Sequence, residues 1–341
     1  MLDSTAVRMR PFSAEGMYES FYFRGTSDDG ARAFWLKHNI LRYRGAQDVW
    51  LECALILFDR ASCRTAAVYA HEAVDAASFA RAAQVSRDWD HVGMEMRSGA
   101  TVRIGRGHVG GEASGEGGAA KWELALHRSG IKFHHFPFNS MYALHWPRNK
   151  VLTRDCRLRF EGTLQAGDLA FEGEFTGMNG HNWGTAHAHA YAYANCAQFA
   201  DGQDAYFDGF SARIAPSMPW MTVAGLYLRG RWHLFNGLWR AMRQPVRRVD
   251  DYAWSAEVFN ATHRLRIEVD GATPAQLPWI ALNYENPDRT RSVVKSTKLA
   301  AMKLHLATLD GHLETELASD AAELETLLPG QAPFDGFIGA P

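Results

Sequence analysis

Between Gly177 and Phe199 the chain reads GMNGHNWGTAHAHAYAYANCAQF, its densest stretch of chemically capable side chains. From Ala186 one parity carries His187, His189, Tyr191, Tyr193 and Asn195, and the other carries five alanines. Successive strand side chains point to opposite faces, so this spacing predicts a strand with one functional and one bare face. Two imidazoles two apart on a strand share a side, which is a metal-binding arrangement if His181 or a carboxylate supplies a third ligand. No H-E-x-x-H or spaced third His and Glu completes such a site. Hydrogen-bonding histidines are the preferred reading, and no metal is expected. Just upstream, Gly180 and Gly184 frame His181, Asn182 and Trp183, and glycine's conformational freedom predicts an irregular turn. His181 is there a candidate general acid or base, Asn182 a donor to a ligand oxygen, and Trp183 a pocket wall or a barrel plug.

Carboxyls set among strand aromatics offer a second chemistry. Glu19 lies between Tyr18 and Tyr22, Glu52 follows Trp50, and Asp208 lies between Phe207 and Phe210. A carboxyl in apolar surroundings keeps its proton to higher pH and can protonate a substrate carbon, while aromatic faces shelter the resulting charge. His181, Asp208 and Glu19 are therefore the candidate catalytic residues. The candidate ligand contacts are Tyr22, Trp35, His38, Glu52, Asn182, Trp183, His187, His189, Tyr191, Tyr193, Asn195 and Trp239. The structural alternative pairs Glu19 with Arg24 and Asp208 with Arg213. The His/Tyr/Asn face is expected to look into a cavity, with the alanines packed where two barrels touch; strand parity alone also allows the reverse. His134 and His135, in KFHHFPF, read as surface loop residues. No G-x-S-x-G elbow and no G-x-G-x-x-G strand-to-helix turn occurs, so neither a serine hydrolase nor a nucleotide cofactor is expected.

The elements that must position these residues read as strand after strand. Met17–Arg24, Ala33–Arg44, Val49–Asp59 and Thr65–Ala73 are rich in aromatic and β-branched residues and are separated by turn material such as GTSDDG. Asp75–Val85 is alanine-rich and predicts a short helix, and the glycine-rich run 107–118 predicts a hairpin connection. Short strands resume to Asn286; Arg291–Ala307 leans to strand, and Ala318–Leu328 reads as a helix or a frayed tail. Many short strands without long intervening helices predict an all-β chain of antiparallel sheets closed as barrels or sandwiches, with few short helices. Two domains are expected, 1–200 and 201–341, hinged near ADGQD, with the alternating strand assignable to either one.

Composition narrows the function classes. A hydrophobic fraction of 47% predicts an ordinary globular protein, and a net charge of −2 without Lys/Arg runs argues against nucleic acid or an anionic membrane as partner. The aromatic share of 12%, with 11 Trp, suits a pocket for a lipophilic small molecule. Four scattered cysteines, no 18-residue apolar run and no secretory leader predict a reduced, cytoplasmic protein without an integral membrane segment. No oligomeric state follows.

MYESFYFRG (17–25), WPRNK (146–150), G-x-x-G-H-N-W-G (177–184), the aromatic alternating strand and A-Y-F-D-G-F-S-A-R (205–213) together resemble the AttH/carotenoid 1,2-hydratase group. Tocopherol cyclases and lipocalin-like Diels–Alderases are similar at greater distance. Ser20, Phe21, Tyr191 and Tyr193 stand where that group carries tryptophan, and Gly180 rather than Asp precedes His181. The resemblance implies two lipocalin-like barrels in tandem and an isoprenoid- or polyketide-like ligand held in a barrel cavity. It also implies cofactor-independent cyclase, hydratase or isomerase chemistry, or else a non-catalytic carrier or sensor.

Overall fold

The computed structural model describes residues 8–9, 15–75, 77, 79, 92–96 and 99–339. The first sheet comprises β1 (Met17–Ser27), β2 (Arg32–Arg42), β3 (Asp48–Asp59), β4 (Arg64–Asp75), β5 (Val92–Glu95), β6 (Thr101–Ile104), β7 (His108–Gly115), β8 (Gly118–His127), β9 (Ile131–His134), β10 (Asn149–Ala166) and β11 (Leu169–Gly184). The second comprises β12 (Ala190–Cys196), β13 (Ala205–Arg213), β14 (Met221–Leu228), β15 (Arg231–Phe235), β16 (Val246–Val249), β17 (Ala253–Phe259), β18 (His263–Asp270), β19 (Ile280–Glu285), β20 (Arg291–Thr308), β21 (Leu313–Leu327) and β22 (Ile338–Gly339). Every pairing among the described residues is antiparallel, as the strand rhythm predicts, and the two tandem barrels that the resemblance implies are present.

In the first sheet the strand order runs β4-β3-β2-β1-β11-β10-β8-β7-β6-β5. Tyr69 and Glu116 close it by exchanging two backbone hydrogen bonds of 2.9 Å. Glycine is required there: a Cβ on Gly115 or Gly117 would collide with the carbonyls of Tyr69 or Ala67, and Gly117 has φ +86°. The second sheet runs β15-β14-β13-β12-β21-β20-β18-β17-β16. Across its interior the Trp254 indole donates to Ser211 Oγ at 2.9 Å.

Each barrel interior is filled. Phe21, Phe23, Phe34, Leu36, Trp122 and Phe160 pack the first, and Ala192, Ala194, Phe207, Trp254 and Leu304 the second. A smaller cluster of Trp35, Ile56 and Phe58 against Ile280, Leu282 and Leu299 lies at the seam between them. Arg24, buried on β1, crosses that seam to the carbonyls of Ala321 (2.7 Å) and Asn195 (3.1 Å) and to the Asn195 side chain. Arg60 does the same toward Leu299 O at 2.8 Å. Charge-assisted bonds to backbone carbonyls fix one barrel against the other more rigidly than apolar packing alone.

Five expectations are corrected. Regular pairing of the alternating segment begins at Ala190, so His187 and His189 precede the strand rather than belong to it. Ala192 and Ala194 face the second barrel's core instead of the seam, because facing rings such as Phe207 and Trp254 fill the space that small side chains leave. The chain changes sheet between Gly184 and Ala190 rather than at residue 200, since β12 pairs with β13 and β21. Ala318–Leu328 is strand β21, held between β12 and β20, whereas the glycine-rich run is a hairpin connection as expected, β7 turning at Glu116 and Gly117 into β8, with Gly111 leaving room for Trp122 and Thr101 O. Gly180–Gly184 is no turn but the end of β11; Gly180 lies against the Tyr22 ring and Gly184 against Arg148 O, contacts a Cβ would block. The helix expected over Asp75–Val85 lies almost wholly outside the described residues; Asp75 itself ends β4. Among the described residues, no helix is long and apolar enough to cross a membrane.

Candidate functional site

A cavity of about 440 Å³ lies between the two barrels, not inside either. The period of two explains its walls. On β1, Phe21 and Phe23 point into the first barrel, so Tyr18, Ser20 and Tyr22 point out of it and line the cavity. On β2, Phe34 and Leu36 point in, while Trp35, Lys37 and Asn39 point out. The second barrel answers from its own outer faces: Tyr191 and Tyr193 on β12, Tyr284 on β19, and Glu323 and Glu325 on β21.

Lys37, Glu323 and Glu325 form a charged pole of the cavity beside the rings of Trp35, Tyr191 and Tyr284. Lys37 places its Nζ 3.8 Å from the Tyr284 ring centroid and 4.5 Å from that of Trp35. Among the described residues no hydrogen bond or ion pair reaches it, and burial pulls its pKa down to about 8, with Glu325 and Glu52 opposing that pull. Glu325 accepts a hydrogen bond from Tyr191 Oη at 2.6 Å and a longer one from Tyr284 Oη at 3.5 Å. Burial holds its carboxyl above the ordinary glutamate range; Lys298, Lys37 and the Tyr191 bond pull the other way, and Glu323 adds to the rise. Glu323 is taken by Lys298 and by the Asn195 amide. Lys298 Nζ also lies 3.6 Å from the Trp35 ring centroid, and burial lowers its pKa.

The residues singled out from sequence divide between this cavity and the barrel interiors. Tyr22, Trp35, Glu52, Asn182, His187, Tyr191, Tyr193 and Trp239 line the cavity. Glu52 holds Asn39 Nδ2 at 3.0 Å. His187 stacks on Tyr18 at 4.1 Å and shares a 2.9 Å bond with Asn286 Oδ1; burial lowers its pKa to about 4, so the ring is a neutral donor. Trp239 is 76% exposed and stands at the mouth. Asn195 is buried behind Tyr193 as a seam residue, and His189 does not line the cavity.

His38, Trp183 and His181 are off the cavity. His38 shares the inward parity of Phe34 and Leu36, near Phe23 and Trp122, and burial lowers its pKa to about 3. Trp183 packs with Tyr142 and Leu152. His181 stacks on Phe21 and hydrogen-bonds Glu19 at 2.8 Å. Glu19 reaches the cavity wall, but its carboxylate also accepts the Arg8 and Met9 amides at 2.7 and 2.6 Å. This pair is an internal tie rather than a free acid and base.

Asp208 does not line the cavity either. It is buried and accepts from Thr153, from Tyr206 at 3.0 Å, from Tyr193 at 3.4 Å, and shares a 2.9 Å bond with His135 Nε2. Its oxygens are occupied, so it anchors Tyr193 and His135 instead of offering a proton to a ligand. His135, expected at the surface, is completely buried in the cavity wall, because β9 carries it against β10 and β13. Sequence reasoning missed Lys37, Tyr284, Glu323 and Glu325. Signals for them exist: Trp35, Lys37 and Asn39 alternate with Phe34 and Leu36, and Glu323 and Glu325 alternate with Ala322 and Leu324.

No protein-family model matches the chain, and no curated protein matches it in sequence. Solved structures match it in fold. A Nitrosomonas europaea protein provisionally designated AttH is 12% identical, with a TM-score of 0.51 over 96% of this chain and 98% of that one. CghA with Sch210972 is 12% identical, with a TM-score of 0.55 over 95% and 94% of the two chains. CghA alone gives 13% and 0.52 over 93% and 90%. At such identities the likeness shows the tandem lipocalin-like fold, as the resemblance in sequence implied, and shows the fold alone.

Proposed function

We propose that the cavity between the barrels binds a lipophilic small molecule bearing a carbonyl group and transforms it by cofactor-independent acid–base chemistry. The observation that carries this reading is Lys37: a buried ammonium with no hydrogen-bond partner among the described residues, on a wall of aromatic rings, with the Glu325–Tyr191 pair on the facing wall of the second barrel. Three unused N–H donors suit an oxygen on which negative charge develops, and an enclosed apolar site strengthens that interaction. Glu325, retaining its proton more readily than an exposed glutamate, delivers a proton to the ligand and takes one back, while Tyr191 fixes its orientation. Tyr22, Trp35, Tyr193 and Tyr284 supply the faces against which an apolar skeleton folds. The cavity volume falls within the range of small-molecule sites.

This narrows the ligand class. The Lys37 ammonium on the cavity wall opposes a carbocation: like charges some 4 Å apart cost about 4 kcal/mol at an effective dielectric near 20. A carbonyl-bearing, polyketide-like ligand is therefore favoured over an isoprenoid hydrocarbon, and cyclisation, hydration or isomerisation through an enol-like state over alkene protonation. The fold shared with CghA, a structure that exists with Sch210972, is consistent with a small-molecule ligand. Native mass spectrometry of freshly purified protein, repeated after incubation of any bound molecule, tests the reading. A changed ligand mass, or turnover abolished by Glu325→Gln, is expected; a tightly held ligand recovered unaltered makes the protein a carrier and contradicts catalysis.

A further inference from the structure

Around the cavity mouth several large apolar side chains are exposed. Phe138 is 60% exposed, Leu144 58%, Trp146 46% and Trp239 76%. They come from two segments far apart in sequence: the turn between β9 and β10, and the short helix Leu238–Ala241 that follows β15. Asn236 Nδ2 ties the two together by donating to His134 O at 3.1 Å. Trp146 and Trp239 also line the cavity, so patch and cavity form one continuous surface.

The two segments that form this patch carry charge of one sign. Residues 129–150 and 229–249 contain no aspartate or glutamate, in a chain of 341 residues with 38 of them and a net charge of −2. Arg148, Arg240 and Arg243 are exposed and have no ion-pair partner among the described residues. Farther along, Arg247 and Arg248 are neutralised by Glu257 and Asp250. Arg240 and Arg243 lie three apart in sequence, and the fold brings Arg148 to the same cavity mouth.

We propose that this face docks on a phospholipid bilayer carrying anionic headgroups, with Trp239, Trp146 and Phe138 entering the interfacial layer and the three arginines meeting phosphates. Tryptophan favours the boundary between headgroups and hydrocarbon, and each basic side chain near an anionic surface adds attraction that salt screens. Exposed apolar area bordered by unpaired positive charge fits that surface in both respects. Docking there opens the cavity directly onto the phase in which a lipophilic molecule dissolves. The inference does not depend on acid–base chemistry, because vesicle binding is measured with no cavity ligand present.

The test is cosedimentation of the full chain with phosphatidylcholine vesicles, with and without a third of phosphatidylglycerol, at low and high salt. Binding is expected to the anionic vesicles and to fade at high salt. Arg240→Glu with Arg243→Glu is expected to weaken it about 30-fold or more, as two reversed charges at an anionic surface require. Trp239→Ser is expected to weaken it about tenfold, by loss of one interfacial aromatic. Should a variant fail to fold, quenching of native tryptophan emission by brominated phospholipids decides instead. Absence of binding or of quenching, equal binding by the charge-reversed protein, or a soluble protein covering Trp239 while vesicles are ignored would each overturn the proposal.

Discussion

Lys37 of the first barrel holds its ammonium 3.8 Å from the ring centroid of Tyr284 in the second. Neither residue has this neighbour unless the barrels are docked as they are, so the charged pole exists only in the assembled chain. The Arg24 bridge maintains that docking: its guanidinium reaches the backbones of β12, β20 and β21 at once.

Replacing Lys37 by Met keeps the volume and removes the charge. Turnover of a carbonyl substrate should fall about 100- to 1,000-fold, the loss typical of one oxyanion-stabilising donor. In the native protein the effect has a pH signature. Lys37 loses its proton near pH 8 instead of its ordinary 10.5, so binding that needs the ammonium should weaken as pH rises through about 8. A pH titration of affinity for native and Lys37→Met protein checks both, since the variant should show no such inflection.

Glu325→Gln preserves shape and removes the transferable proton. Turnover should drop about 100- to 10,000-fold while affinity changes little, as expected of a general acid–base group. Single-turnover kinetics beside equilibrium binding separates the two effects.

Arg24→Met should destabilise the chain by about 3–5 kcal/mol, because it leaves the buried carbonyls of Asn195 and Ala321 without their charged donor. Denaturant unfolding measures it. A change under about 1 kcal/mol, the scale of a surface pair, would show that the bridge is not structural.

Acid should unfold this protein through its buried histidines. His38 titrates near 3 and His187 near 4 when folded, against 6.5 for a free imidazole. Between those values the unfolded chain binds more protons, so stability falls as pH drops below about 6.5, by about 1.4 kcal/mol per pH unit for a fully buried ring. His38 carries most of this, and half-buried His187 a smaller share. Unfolding curves from pH 7 to 4 should flatten in His38→Phe.

Much of this was legible in the sequence. The strand rhythm gave the all-β class, and the parity of Tyr191 and Tyr193 placed them on a cavity wall. What parity alone could not say is where the cavity lies: it distinguishes two faces of a strand, not the inside of a barrel from the seam between two. His38 was misassigned for that reason, His181 and Trp183 because a strand end was read as a turn, and the alanine face was assigned to the seam when it packs a core. Ala318–Leu328 looked helical because ASDAAELETLL is rich in helix formers, and pairing with β12 and β20 overrode that propensity. Glu325, the acid nearest the chemistry proposed here, was hidden by that error. His135 was hidden by another, because nothing local in KFHHFPF distinguishes a surface histidine from one carried inward to Asp208.

The most direct test is calorimetric titration of a lipophilic 3-oxo acid into native, Lys37→Met and Gly180→Val protein. Gly180 lies on β11 under the Tyr22 ring, so a side chain there pushes that ring into the cavity. One site per native chain is expected, weakened about tenfold or more in each variant, since each loses a charged contact or cavity space worth more than about 1.4 kcal/mol. Equal affinity in all three would place the ligand elsewhere and contradict the cavity between the barrels as the functional site.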